Sequence, residues 1–129
     1  MRVLGIDPGS RITGLGVVEM VDGQLVGVAS RALRLGNGEL SSRLAHIYTV
    51  VNELIEETQP DVVAIEQVFM ATNARAALTL GHARGSAMCA AVIAGRQVYE
   101  YSACLLYTSP SPRDHLSYLV CRLLLEKRG

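Results

Sequence analysis

The sequence is poor in aromatic and lysine residues, with no Trp, a single Phe and a single Lys. Its acidic and basic side chains balance at twelve each. A nucleic-acid partner would therefore have to be held by a local basic face, because bulk charge supplies no attraction. The three Cys cannot all pair, which argues against a small disulfide-stapled domain.

Long apolar runs are also missing. No run approaches the roughly 20 residues of a membrane-spanning helix, and the first residues lead directly into a strand pattern without a signal peptide. We therefore expect a cytoplasmic protein with no membrane partner. What the chain does have is an apolar fraction of 50% over 129 residues, enough for one domain with its own core.

The first third of the sequence reads as three strands. A short apolar run, Val3–Ile6, ends at Asp7 and a Pro-Gly turn, as a buried strand does. Two β-rich runs, Ile12–Glu19 and Gln24–Leu33, are joined through Asp22-Gly23, a strong hairpin signal. These patterns predict three consecutive antiparallel strands.

The remainder alternates helices with strands. Apolar residues at helical spacing predict a helix from Leu40 to Ile55, and a second apolar run, Val62–Ile65, ends at Glu66. A second helix is expected over residues 72–94 and a fifth strand over Gln97–Tyr101. Because a helical crossover joins parallel strands, the prediction is an α/β fold with a mixed five-stranded sheet and flanking helices.

The candidate chemistry lies where two predicted strands end in acids, Asp7 and Glu66. If these strands are neighbours, the two carboxylates meet at one edge of the sheet and repel unless a cation joins them. Oxygen ligands without nearby Cys or His favour Mg²⁺ or Mn²⁺. Taken alone, Asp7 could simply cap the turn and Glu66 could simply be a solvated strand end. The metal-site interpretation therefore depends on the two acids lying together.

Three segments together, Gly5–Gly14, Ala64–Ala71 with Asn73, and Ala77–Gly85, resemble the RuvC family of bacterial crossover junction endodeoxyribonucleases. The resemblance implies a ribonuclease H-like fold and a homodimer that resolves Holliday junctions by symmetric phosphodiester cleavage. It also implies four-way junction DNA, the branch-migration proteins RuvA and RuvB, and two Mg²⁺ ions per subunit, with Mn²⁺ as the alternative.

The resemblance also assigns roles to residues. Asp7 would bridge the two ions and Glu66 would hold one of them, while two further family acids lie beyond the matching segment. Phe69 would stack on an unpaired junction base, flanked by Met70 and Asn73. The candidate phosphate contacts are Arg11, Arg75 and Arg84. His46 and His82 are expected to have structural roles, and Cys89 is expected to be a small buried residue.

The composition changes near Ala103. Residues 104–129 contain two of the three Cys and two of the four Pro, and the segment Cys104–Asp114 can be encoded by the end sequence of a transposase-based sequencing adapter. We predict that residues 1–103 are an incomplete nuclease domain and that 104–129 are a non-native, adapter-derived tail. Asp114 would then replace no family acid, and this chain by itself would be inactive.

Three alternatives stay open at this point. A related ribonuclease H-like nuclease could act on other branched or RNA substrates, and a fragment could bind junctions without cleaving them. An ATP-binding domain of the actin and sugar-kinase type shares the early hairpin and the Asp-x-Gly turn, but it requires a second phosphate-binding loop and a longer chain.

Overall fold

The computed structural model describes residues 1–9, 11–36, 38–67 and 73–101. Within them, strands and helices follow one another in the predicted order. In chain order they are β1 (Arg2–Asp7), β2 (Ile12–Val21), β3 (Gln24–Arg34), α1 (Leu40–Thr58), β4 (Val62–Glu66), α2 (Ala74–Ile93) and β5 (Gln97–Tyr101).

The β2–β3 hairpin forms around the predicted Asp-Gly turn. Asp22 and Gly23 both have positive φ, 49° and 78°, as the two-residue turn that matches strand twist requires. The pairing is antiparallel from Val21 opposite Gln24 onward, and its register shifts between Val17 and Val18. A local turn signal therefore sets the longest strand pair of the sheet.

The sheet order of the described strands is β3-β2-β1-β4-β5, with β1 in the centre. β1 is antiparallel to β2 and parallel to β4, and β4 is parallel to β5. The α1 crossover allows the parallel β1–β4 pair, since parallel neighbours cannot be joined by a tight turn. The predicted mixed sheet is confirmed, and its arrangement is the ribonuclease H-like one.

One face of this sheet packs against both helices and forms the main core. Of the predicted apolar positions of α1, Ile47, Val51, Leu54 and Ile55 are buried there, and Leu44 and Tyr48 are partly buried against them, because they recur along one side of the helix. α2 contributes alanines, whose small side chains let the helix approach closely. Residues with at most 2% exposure in this core are Leu4, Ile6, Leu15, Val17, Ile47, Val51, Leu54, Ile55, Val63, Ile65, Ala83, Ala87, Ala90 and Ala91.

The helix ends have visible local causes. α1 ends at Thr58 because Gln59 adopts the left-handed conformation (φ 49°), and its N–H donates to the carbonyl of Ile55 at 2.8 Å. α2 begins after Asn73, whose side-chain oxygen accepts the N–H of Ala76 at 2.8 Å. Neither described helix is long and apolar enough to cross a membrane.

The prediction that Cys89 is buried is wrong. Cys89 is exposed on α2, and Val92 and Ile93 are exposed nearby. The physical reason is that α2 is apolar or small around most of its circumference, so hydrophobic periodicity does not identify the side that faces the sheet. The alanines occupy that side, and Cys89 lies on the outside.

Candidate active site

Asp7 and Glu66 end neighbouring strands at the same edge of the sheet. The parallel register of β1 and β4 pairs Ile6 with Ile65, so the next residue on each strand is one of the two acids. Neighbouring strands are about 4.8 Å apart. Asp7 is buried, at 6% exposure, and Glu66 is half-buried. The predicted adjacency is confirmed.

Both acids belong to the sheet face opposite the helices. Side chains alternate along a strand, so Asp7 shares a face with Val3, and Glu66 shares one with Ala64. Val3 and Ala64 form a second, smaller apolar cluster with Val18 and Tyr101, separate from the main core. The helices therefore stabilise the sheet from one side while the acids project from the other.

Burial raises the pKa of Glu66 above its ordinary value. Removing the carboxylate from water disfavours its charged form, and a nearby cation would offset that cost. Protons therefore compete with a metal ion for the Glu66 carboxylate up to a higher pH than they would for the carboxylate of a solvated glutamate. A bound divalent ion would stabilise the charged form of the Glu66 carboxylate, which burial disfavours.

The pair fits a divalent ion as part of a ligand set. Carboxylate oxygens suit Mg²⁺, which keeps several of its waters in most protein sites. Gly14 lies opposite Asp7 on β2, and a Cβ added there would come into ordinary van der Waals contact with the Asp7 Cβ, at 3.8 Å. Among residues 1–9, 11–36, 38–67 and 73–101, no three His, Cys, Asp or Glu side chains cluster.

The turn after Asp7 is held closely by β2. The Gly9 N–H donates to the hydroxyl of Thr13 at 3.4 Å, and Thr13 is fully buried. A Cβ built on Gly9 would overlap the carbonyl oxygen of Ile12. Only glycine fits this turn, and the turn fixes the direction in which the chain leaves Asp7.

A polar cluster at the ends of β4 and β5 was missed by the sequence reasoning. Arg84 forms an ion pair with Glu100, and its Nε donates to the Glu66 carbonyl at 3.4 Å. The hydrogen bond from Arg84 is the main cause that lowers the pKa of Glu100. The side-chain amide of Gln67 also donates to Glu100, at 3.3 Å. Only the packing of α2 and β5 at the end of β4 brings these residues together, so no linear motif could have revealed them.

The predicted DNA contacts fall into three groups. Arg11, Asn73 and Arg75 are exposed, and Asn73 also caps α2. Arg84 forms an ion pair with Glu100, which favours a structural role for Arg84 over contact with DNA. Phe69 and Met70 lie outside the described residues.

The two helical histidines play no evident part in this site. His46 lies on α1 and His82 on α2, and both are exposed.

Comparison with known proteins decides the family. The model of the family described as crossover junction endodeoxyribonuclease RuvC matches residues 3–108. A RuvC of Aliivibrio fischeri is 55% identical over 127 residues, covering 95% of this chain and 73% of the relative. The chain belongs to the RuvC family.

Other RuvC proteins agree with this assignment. The relative from Haemophilus ducreyi is 54% identical over 104 residues, which cover 81% of this chain. The chain spans 54% of the length of that RuvC protein. The solved structure of Thermus thermophilus RuvC in complex with a Holliday junction substrate superposes with a TM-score of 0.78 at 27% identity, covering 98% of this chain and 79% of that one.

Proposed function

We propose that this chain carries the nuclease domain of an enzyme that resolves Holliday junctions. The observation that carries the proposal is the pair formed by Asp7 and Glu66 on adjacent parallel strands of a RuvC-family fold. The T. thermophilus RuvC is bound to a junction substrate, which supports four-way DNA as the substrate here. Cleavage would be hydrolysis of a phosphodiester in each of two symmetry-related strands.

Asp7 and Glu66 would hold Mg²⁺. When bound, the metal supplies positive charge at the scissile phosphate and lowers the pKa of a coordinated water. Asp7, the more buried acid, would be the ligand shared by two ions. Glu66 lies nearer solvent and would orient the attacking water and accept its proton.

The DNA would be held by residues around this edge of the sheet. Arg11 follows the Asp7 turn, and Arg75 lies in the first turn of α2. Both are exposed cations, so each is a candidate phosphate contact. We retain base stacking by Phe69, with Met70 and Asn73 beside it, as part of the proposal.

A second copy of the chain would pack along the outer side of α2. We call this side of α2 the outer seam. Its residues recur at helical spacing and are Leu78, Gly81, Gly85, Cys89 and Val92. Leu78 is 67% exposed and Val92 59% exposed, although both are apolar. Homodimerisation would cover the outer seam and supply two active sites for symmetric cleavage. We expect the dimeric protein to act in the cytoplasm with RuvA and RuvB as partners.

Gly85→Arg should prevent this dimerisation. A Cβ at Gly85 meets nothing within 4 Å, so the subunit should still fold, while a large cation would occupy the outer seam. We expect the dimer dissociation constant to rise at least about tenfold, which corresponds to 1.4 kcal/mol, as measured by analytical ultracentrifugation. Ser42→Arg, on the exposed side of α1, is the control. Equal dimerisation of the two variants would show that α2 is not the interface.

The proposed function is tested by cleavage of synthetic DNA. A chimera continues from Ala103 into the corresponding C-terminal part of the A. fischeri relative, and the 129-residue chain is assayed beside it. We expect the chimera with Mg²⁺ to nick a four-way junction at symmetric positions and to leave a matched linear duplex intact. Chelation of the metal should stop cleavage. The 129-residue chain should be silent in the same assay.

The alternatives give different results in this assay. Cleavage of an RNA–DNA hybrid in preference to the junction would indicate a different ribonuclease H-like nuclease. Junction binding by the chimera without cleavage at any Mg²⁺ concentration would indicate a noncatalytic protein. Either result would contradict the proposed function.

A further inference from the structure

We infer that Arg84 and Glu100 form a positioning pair that fixes the main chain of Glu66 at the end of β4. The inference rests on the proposed function only in treating Glu66 as a metal ligand. Arg84 comes from α2, Glu66 from β4 and Glu100 from β5. The pair therefore ties three elements together at the edge where the two acids lie.

Arg84 contacts the main chain of Glu66 from the helix-covered face of the sheet. Its Nε donates to the Glu66 carbonyl at 3.4 Å, and the guanidinium also pairs with Glu100. Glu100 lies opposite Ile65 in the β4–β5 register, and Ile65 belongs to the helix-covered face. The Glu66 side chain is on the opposite face by strand alternation. Arg84 thus constrains the backbone of Glu66 and leaves its carboxyl available.

Gln67 completes the support on the β5 side. Its N–H donates to the carbonyl of Tyr101 at 2.7 Å, and its side chain reaches Glu100. The residue after Glu66 is therefore held to β5 through both its main chain and its side chain. Supports of this kind orient metal ligands, and their loss commonly weakens metal affinity by about 10–100-fold.

This role differs from the phosphate contact expected of Arg84. The Arg84 side chain is only 23% exposed and is already paired with a carboxylate, whereas Arg75 is exposed. A guanidinium in that position has less freedom to reach DNA. Arginine also suits the pairing because its planar fork reaches two acceptors at once, which lysine cannot do in the same way.

The test compares Arg84→Gln, Glu100→Gln and the double variant of the 129-residue chain, with Mn²⁺ as the probe. Affinity is measured by NMR from paramagnetic broadening at Glu66, and amide exchange is followed at Gln67. We expect each single variant to weaken Mn²⁺ binding about tenfold and to speed Gln67 exchange. The double variant should do no more than either single one, because all three break the same pair.

Further variants separate positioning from DNA contact. Arg84→Lys keeps the positive charge but should bind Mn²⁺ nearly as weakly as Arg84→Gln, while metal-free junction binding stays within about twofold of wild type. Arg31→Gln, which breaks the exposed ion pair with Glu57, is the control and should change neither readout. Exchange at Val63, in the main core, distinguishes a local change from unfolding, and Glu100→Gln provides the second route if Arg84→Gln unfolds.

The outcomes are separable. If Arg84→Gln weakens metal-free junction binding and lowers its salt dependence while Glu100→Gln does not, Arg84 contacts phosphate and the inference is overturned. Unchanged Mn²⁺ affinity together with unchanged Gln67 exchange also overturns it. If the chimera shows no preference for junction over duplex, the proposed function fails, while the Mn²⁺ and exchange results still decide the positioning role.

Discussion

Asp7→Asn should reduce junction cleavage by the chimera by at least about a thousandfold, with junction binding unchanged or tighter. The substitution keeps the side-chain shape but replaces a charged metal ligand by a neutral amide, so the positive charge at the phosphate is no longer fixed in place. Asp7 is 6% exposed, so loss of its carboxylate removes little of the surface that could meet DNA. Cleavage rates at saturating enzyme and binding in EDTA measure the two effects separately.

The matched control for this experiment is Asp61→Asn. Asp61 is an exposed acid that accepts the N–H of Arg2 at 2.8 Å, at the other end of the sheet from Asp7. The same chemical change there should leave cleavage within about twofold. If Asp7→Asn retained cleavage within tenfold of wild type, Asp7 would not be a metal ligand of the cleavage site.

The second large effect is expected from Gly9→Ala. Because the added methyl group would overlap the backbone carbonyl of Ile12, the turn after Asp7 must shift, and we expect a loss of about 2–4 kcal/mol of stability. The shift would also move the end of β1, so cleavage should fall even where the protein is folded. Urea unfolding and cleavage of the folded variant measure the two consequences.

Gly38→Ala is the control for the turn. Gly38 has no positive φ and a Cβ there meets nothing within 4 Å, so its replacement should change stability by less than about 0.5 kcal/mol. Equal urea midpoints for the two alanine variants would show that the Gly9 turn accommodates a side chain and that our account of it is wrong.

Local sequence signals were sufficient for most of the fold. The Asp22-Gly23 turn, the helical spacing along α1 and the apolar runs of β1 and β4 each predicted an element that the structure contains. These signals work because they depend on near neighbours in the chain. A helical crossover makes the strands that it joins parallel, which favoured the pairing of β4 with β1 that brings Asp7 and Glu66 together but did not require it.

What the sequence could not provide depends on tertiary packing. Cys89 was misplaced because α2 offers small or apolar residues in most directions, and only contact with the sheet decides which of them are covered. The pairing of Arg84 with Glu100 depends on α2 and β5 meeting at the end of β4. The roles of Asp7 and Glu66 in metal binding, and of Phe69 in stacking, remain predictions, as does the non-native origin of residues 104–129.

The central position of β1 has a consequence for the order of folding. Its pairing with β2, and that of β2 with β3, joins segments close in the chain, which lose little entropy on closing. Its pairing with β4 must close a much longer loop through β2, β3 and α1, and contacts of that range form slowly. We therefore expect the three-stranded meander to form first and the two carboxylates to meet late. A nascent chain that has not completed the crossover would have no paired acids with which to capture metal.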